Sequence, residues 1–163
     1  MDYSSFEAVI ESPIGHIGLL LSGNVLTGLK FLNHTSVFVP PACGSGQSEE
    51  AAHQLARWFR NPKEPFTLAI DPKGTAFQLK VWRQLRRIPL GQTRSYGVLA
   101  KQIGTSPRAL AAACRANPIP IITPCHRVVA ATGLGGYGGK TAGRNMTIKQ
   151  WLLRHEGVLP PQP

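Results

Sequence analysis

The sequence predicts two unlike parts: a small α/β layer over residues 1–72 and a mostly helical domain over residues 73–163, built around a helix-turn-helix. Three observations carry that reading. Short apolar runs and one helical stripe fill the first part, whereas helix start and stop signals follow one another beyond Gly74. The seam, Asp71-Pro72-Lys73-Gly74, gathers turn formers. Charge also changes there: residues 1–74 hold five basic and seven acidic residues, net −2, and residues 75–163 hold thirteen basic residues and one acid, Glu156, net +12.

In the first part, 6–11, 16–21 and 25–32 read as a meander of three strands, with turns at Pro13-Ile14-Gly15 and Ser22-Gly23-Asn24. Residues 33–47 read as a loop. Ser48 is placed to cap a helix whose first turn holds Glu49 and Glu50 and whose apolar face holds Ala52, Leu55, Trp58 and Phe59. It stops near Asn61-Pro62, and 66–70 reads as one more strand. His16, His34 and His53 read as ordinary surface or core residues.

In the second part, Thr75 caps a helix with Phe77, Val81, Trp82 and Leu85 on one face, ending before Pro89. Ser95 opens a second helix over 96–103, which Gly104 closes. Ser106, with Pro107 at the first helical position, opens a third through Arg115. Helix, glycine turn and alanine-rich helix with Arg108 in its first turn is the helix-turn-helix pattern. The +12 charge of this half favours a polyanion, with nucleic acid first, and sets that helix against DNA. A core helix packed by its alanines is the alternative.

Cys43, Cys114 and Cys125 are odd in number and widely spaced, which argues against a disulfide framework or a metal site. The N-terminus carries no signal pattern and no apolar run approaches membrane-spanning length, so a soluble, cytoplasmic protein with reduced thiols and no membrane partner is expected.

The stretch from Asn117 to Val129 holds three prolines and then Cys125-His126-Arg127. Prolines stiffen the backbone, and a stiff frame with an imidazole and a guanidinium beside a thiol suits a reactive thiolate. An inert core cysteine is the alternative. An imidazole acting as base needs an orienting acceptor, and the only carboxylate of this half is Glu156. It lies in a helical stretch over 147–157, with Ile148, Trp151, Leu152 and His155 or Glu156 on one face. The glycine-rich loop 133–139, with Tyr137, is suited to set backbone amides and a ring against a ligand. It has no Gly-Lys-Ser/Thr ending, which argues against a nucleoside-triphosphate loop.

Pro124-Cys125-His126-Arg127-Val128-Val129, preceded by Asn117-Pro118-Ile119-Pro120-Ile121, resembles the signature of the O6-alkylguanine-DNA alkyltransferases, the methylated-DNA–protein-cysteine methyltransferases. The likeness runs from Gly74-Thr75-Ala76-Phe77 through Gly91-Gln92-Thr93-Arg94-Ser95-Tyr96-Gly97 to Trp151-Leu152-Leu153-Arg154-His155-Glu156-Gly157. The first part resembles the family's variable RNase-H-like domain more loosely.

The resemblance implies repair by direct reversal, without a cofactor, by a monomer acting on duplex DNA that contains O6-alkylguanine, and also on O4-alkylthymine. It implies a cytoplasmic setting, or a nuclear one in a eukaryote. Cys125 is then the acceptor, His126 and Glu156 draw off its proton through water, and Asn117 braces the site. Tyr96 rotates the target phosphate and steadies the extruded base, while Arg108 fills the vacated stack. Ser106, Ala109 and Arg115 share the DNA face, and Val128, Tyr137 and Gly138 contact the base. The segment Lys140–Met146 is longer than in many members, and Gly138 stands where serine is common. A damage sensor that lacks the cysteine, a plain helix-turn-helix binder and a cysteine hydrolase are the competing functions. Cys125 argues against the first, and the basic half against the last.

Overall fold

The computed structural model describes residues 5–33 and 46–162. Most of the loop expected at 33–47, with His34 and Cys43, lies outside them. The chain divides into two compact units, Met1–Lys73 and Gly74–Pro163.

In the first unit, β1 (Ala8–Ile10), β2 (Ile17–Ser22) and β3 (Val25–Phe31) form an antiparallel sheet in the order β1-β2-β3. Its buried residues include Ile17, Leu19, Leu26 and Leu29. Helix α1 (Gly46–Arg60) packs on β1 and buries Ala51, Leu55 and Trp58, a stripe at helical spacing. It begins ahead of Ser48, which is buried within it, because neither Gly46 nor Gln47 stops a helix from extending backwards. Residues 66–70 are not a strand. Only Ile70 bridges to Leu26, in parallel, while the Thr67 amide donates to the side chain of Gln54 at 2.9 Å. A side chain of α1 therefore takes the donor that a sheet ladder would have used.

In the second unit, α2 (Ala76–Leu85) starts with a reciprocal cap: the Thr75 hydroxyl accepts from Gln78 N and the Gln78 side chain accepts from Thr75 N. Val81, Trp82 and Leu85 are buried, whereas Phe77, expected on the same face, is exposed. Strand β4 (Arg94–Ser95) leads into α3 (Tyr96–Ile103), capped by Ser95 and closed by Gly104 at φ 82°, a left-handed conformation that glycine adopts without cost. Helix α4 (Pro107–Arg115) is capped by Ser106, whose hydroxyl accepts from Ala109 N at 3.1 Å. Trp82 Nε1 donates to the Ala113 carbonyl at 2.8 Å and ties α2 to α4.

After α4 the chain makes a tight turn through Asn117–Thr123, then a 3-10 turn at Cys125–Arg127 and a two-residue strand β5 (Val128–Val129). Strand β5 pairs in parallel with β4, Arg94 opposite Val128 and Ser95 opposite Val129. This short ladder pins the start of α3 to the segment leaving Cys125. Helix α5 (Arg144–His155) closes the unit. Its buried stripe is Met146, Ile148, Lys149, Leu152 and Leu153. The stripe expected through Trp151 is out of phase: Trp151 is only half-buried and stacks on His155, ring centroids 4.8 Å apart. No helix of the described residues is long and apolar enough to cross a membrane.

Candidate active site

The Asn117–Cys125 turn is wound around one side chain. Asn117 Oδ1 accepts from Ile119 N at 3.0 Å, and Nδ2 donates to the Thr123 carbonyl at 2.7 Å and to Cys125 Sγ at 3.2 Å. With both ends of the amide occupied, the donor aimed at sulfur cannot rotate away. Ile121, in the same turn, has φ 74° and is 2% exposed. A β-branched residue in the left-handed region is strained, and the three prolines around it hold it there.

Behind the cysteine, His126 and Glu156 meet with Nε2 3.0 Å from Oε1, both side chains fully buried. Arg127, expected to supply positive charge to the thiol, is committed to the acid instead. Its Nε donates to Glu156 Oε2 at 2.9 Å, its Nη2 to Oε1 at 2.7 Å, and its Nη1 to the Ile88 carbonyl at 2.6 Å. Burial works to raise the Glu156 carboxyl, but hydrogen bonds from His126 and Arg127 outweigh it and hold the group at about 2. Burial also lowers His126, against the pull of Glu156. The bidentate Arg127 is sufficient to keep Glu156 ionised, and burial favours the neutral imidazole. Neither ring nitrogen makes a well-aligned hydrogen bond among the described residues, and Nε2, 3.0 Å from the carboxylate, is the nitrogen suited to carry the hydrogen. That leaves Nδ1, which has no partner among the described residues, as a proton acceptor.

Cys125 opens onto a cavity of about 440 Å³ walled in part by Tyr96, Arg108, Cys114, Arg115, Tyr137 and Gly138. Burial pushes the Cys125 thiol up, and the hydrogen bond from Asn117 and the charge of Lys149 pull it back. Tyr96, at the first position of α3, has its hydroxyl 3.5 Å from the Gly136 carbonyl, a weak contact that a better acceptor would displace. Burial drives its phenol up to about 12, so it is a hydrogen donor at neutral pH.

Of the predicted residues, Cys125, His126, Glu156, Asn117, Tyr96, Tyr137 and Gly138 come together at this site. Arg108 and Arg115 are exposed on α4 at its rim. Ser106 and Ala109 do not line the cavity; they form the cap of α4. Val128, expected against a base, is fully buried, and its carbonyl accepts from Lys149. Tyr137, expected to stack on a ring, is buried in the wall of the cavity that Cys125 also lines.

Lys149 is the residue that sequence reasoning missed. Its wholly buried ammonium donates to the carbonyls of Val128, Leu134 and Gly136 at 2.8, 2.7 and 2.8 Å, lacing the glycine loop to α5. Burial draws it down to about 8, against the pull of Cys125 and Cys114. One signal was present: a lysine among Ile148, Leu152 and Leu153 on an apolar helical stripe. Among the described residues no group of three or more His, Cys, Asp or Glu side chains could hold a metal ion.

The family model for 6-O-methylguanine DNA methyltransferase, DNA binding domain, matches residues 76–158. A methylated-DNA–protein-cysteine methyltransferase of Methanosarcina acetivorans is 40% identical over 161 residues, 93% of this chain and 98% of the relative. One of Mycobacterium leprae is 43% identical over 154 residues, 90% of this chain and 91% of the relative. The crystal structure of Mycobacterium tuberculosis O6-methylguanine methyltransferase superposes with a TM-score of 0.77 at 40% identity, covering 96% of this chain and 94% of that one. The Mycobacterium tuberculosis protein solved in complex with DNA has a TM-score of 0.76 at 39% identity, with 94% of each chain covered. The motif around Cys125 and these matches agree: the chain belongs to the 6-O-methylguanine DNA methyltransferase family.

Proposed function

We propose that this protein reverses DNA alkylation directly, by taking the alkyl group of O6-alkylguanine onto Cys125. The observation that carries this is a buried sulfur at a cavity wall, met by the Asn117 amide and backed by the His126–Glu156 pair. His126 takes the thiol proton at Nδ1 through a water, and Glu156 steadies the imidazolium that forms. The thiolate attacks the alkyl carbon, a C–S bond forms, and the C–O bond breaks with its electron pair left on guanine O6. The Tyr96 hydroxyl donates to the departing base as that charge develops. The product thioether has no ready reverse path, so each molecule acts once.

The target carbon lies inside a duplex, so the base must be extruded at a cost of a few kcal/mol. Helices α3 and α4 act as a helix-turn-helix, with Arg108 entering the duplex and Ser106, Ala109 and Arg115 on the DNA face; phosphate contacts from the basic half offset that cost. Val128, Tyr137 and Gly138 shape the base pocket, and O4-alkylthymine is a second substrate. The relative solved with DNA supports a duplex partner. The first part, over 1–72, acts as an RNase-H-like support domain, and 73–163 carries binding and chemistry in a cytoplasmic setting with reduced thiols.

Incubation with a duplex containing O6-methylguanine should add the mass of one methyl group to the intact protein and none to Cys125→Ala. Unchanged mass together with tight binding of the lesion would make the protein a damage sensor and end the transferase reading.

A further inference from the structure

Thr123 and Arg127 stand two residues before and two residues after Cys125, and the end of α2 holds both. Arg86, the residue that closes α2, donates from Nη1 to the Thr123 hydroxyl at 3.0 Å. Two residues further on, the Ile88 carbonyl accepts from Arg127 Nη1 at 2.6 Å. The bond to Thr123 is the only one that the Arg86 side chain makes among the described residues. Its base is fixed, because Trp82, one turn earlier, ties α2 to α4. Thr123 is 1% exposed and is the hub of the turn. Its amide donates to the Ile119 carbonyl at 2.9 Å, and its carbonyl accepts from Cys125 N at 2.9 Å and from Asn117 Nδ2 at 2.7 Å. The same Nδ2 carries the hydrogen aimed at Cys125 Sγ, 3.2 Å away. The two hydrogens of one planar amide keep a fixed relation, so a shift of the Thr123 carbonyl turns the second one off the sulfur. Hydrogen bonds therefore run unbroken from Arg86 to Cys125.

We propose that Arg86 is a positioning residue of the transfer site: from the end of α2 it holds Thr123, and through the Thr123 carbonyl it keeps the Asn117 amide on the Cys125 sulfur. A donor on sulfur favours the thiolate, the reactive form. The turn needs an outside hold, because Ile121 within it sits in a strained left-handed backbone that relaxes if released. Other groups face this sulfur too. Tyr96, Cys114 and Tyr137 line its cavity, Arg108 and Arg115 stand at the rim, Lys149 lends positive charge and His126 adjoins it. Arg86 is hydrogen-bonded to none of them among the described residues, so a change there reaches the sulfur through Thr123.

The inference deepens the alkyl-transfer reading and rests on it for its purpose, but its test does not. Iodoacetamide alkylates a cysteine whatever the natural substrate. Its rate at Cys125 is followed by peptide mass against pH, in the full chain and in Arg86→Met, Thr123→Val, Thr123→Ser and the Arg86→Met, Thr123→Val double variant. Arg86→Met removes a cation as well as a bond, whereas Thr123→Val removes the bond and keeps the shape. Each should move the profile to higher pH and slow the reaction near neutrality roughly two- to tenfold, the worth of one hydrogen bond. Thr123→Ser, which retains the hydroxyl, should leave the profile in place, and the double variant should match Thr123→Val alone. A profile unmoved by Arg86→Met makes that residue a structural tie only and overturns the proposal. Two effects that multiply in full, or a serine variant as slow as the valine one, overturn it as well. If Arg86→Met does not fold, the valine and serine variants, with Arg86 intact, decide by the same shift or its absence. Methyl transfer by the wild type is measured alongside: its absence sinks the proposed function and leaves the thiol profile to judge Arg86.

Discussion

Arg127 holds both oxygens of Glu156, with Nε at 2.9 Å from Oε2 and Nη2 at 2.7 Å from Oε1, although its neighbour in sequence but one is the cysteine. The guanidinium acts on the thiol at one remove, by fixing the charge of the acid that orients His126.

This pair should set the acid limit of the fold. The folded Glu156 carboxyl titrates at about 2 and the unfolded one near 4.5, so its stabilisation is complete above about 4.5 and is lost as pH falls through about 2. The shift corresponds to about 3 kcal/mol. Denaturant unfolding across that range should show the loss, and Glu156→Gln should flatten it. Arg127→Ala leaves a buried carboxylate with only a neutral imidazole beside it and should cost roughly 3–5 kcal/mol at neutral pH. A cost below 1 kcal/mol would show that the carboxylate finds other partners.

The strained turn makes an unusual prediction at Ile121. Truncation to alanine removes buried methyl groups at a cost of about 2–5 kcal/mol and keeps the left-handed φ. Truncation to glycine removes one carbon more but relieves strain of roughly 1–3 kcal/mol. Ile121→Gly should therefore unfold at no lower denaturant concentration than Ile121→Ala, against the usual ranking of the two residues. A glycine variant clearly weaker than the alanine variant would show that the turn carries no strain.

Arg108 is exposed at the cavity rim and takes no part in the network around the sulfur. Single-turnover measurements on Arg108→Ala should show transfer from duplex O6-methylguanine slowed at least tenfold, with transfer from free O6-alkylguanine base nearly unchanged. Equal slowing on both substrates would remove the residue from duplex opening and place it in the pocket.

What could be read from the sequence was what local chemistry decides. Thr75, Ser95, Gly104 and Ser106-Pro107 mark helix ends because a cap satisfies amides within three or four residues of itself. The grouping of Cys125, His126 and Glu156 was legible for a different reason: one acid among thirteen bases left the imidazole a single carboxylate. Residues 66–70 have strand composition, but their fate depended on Gln54, a side chain from another element. A two-residue strand such as β4 or β5 shows no alternation to detect. Lys149 reads as a surface cation until the three carbonyls around it are placed. The long segment before α5 and the glycine at 138 stood out separately as departures, and only coordinates show that Asn145 from the one occupies the space left by the other.

The Asn117 amide has a consequence beyond the reaction itself. Its second hydrogen is aimed at a sulfur that carries no alkyl group before the reaction. After alkyl transfer that sulfur is a thioether carrying extra carbon in a packed turn, and the amide cannot swing away because Ile119 and Thr123 hold it. Crowding of that kind typically costs about 1–3 kcal/mol, in a segment already under tension at Ile121. The turn thus keeps a record of its own history: fresh and used molecules differ in how firmly residues 117–125 are held, a difference that amide exchange can read without any DNA present.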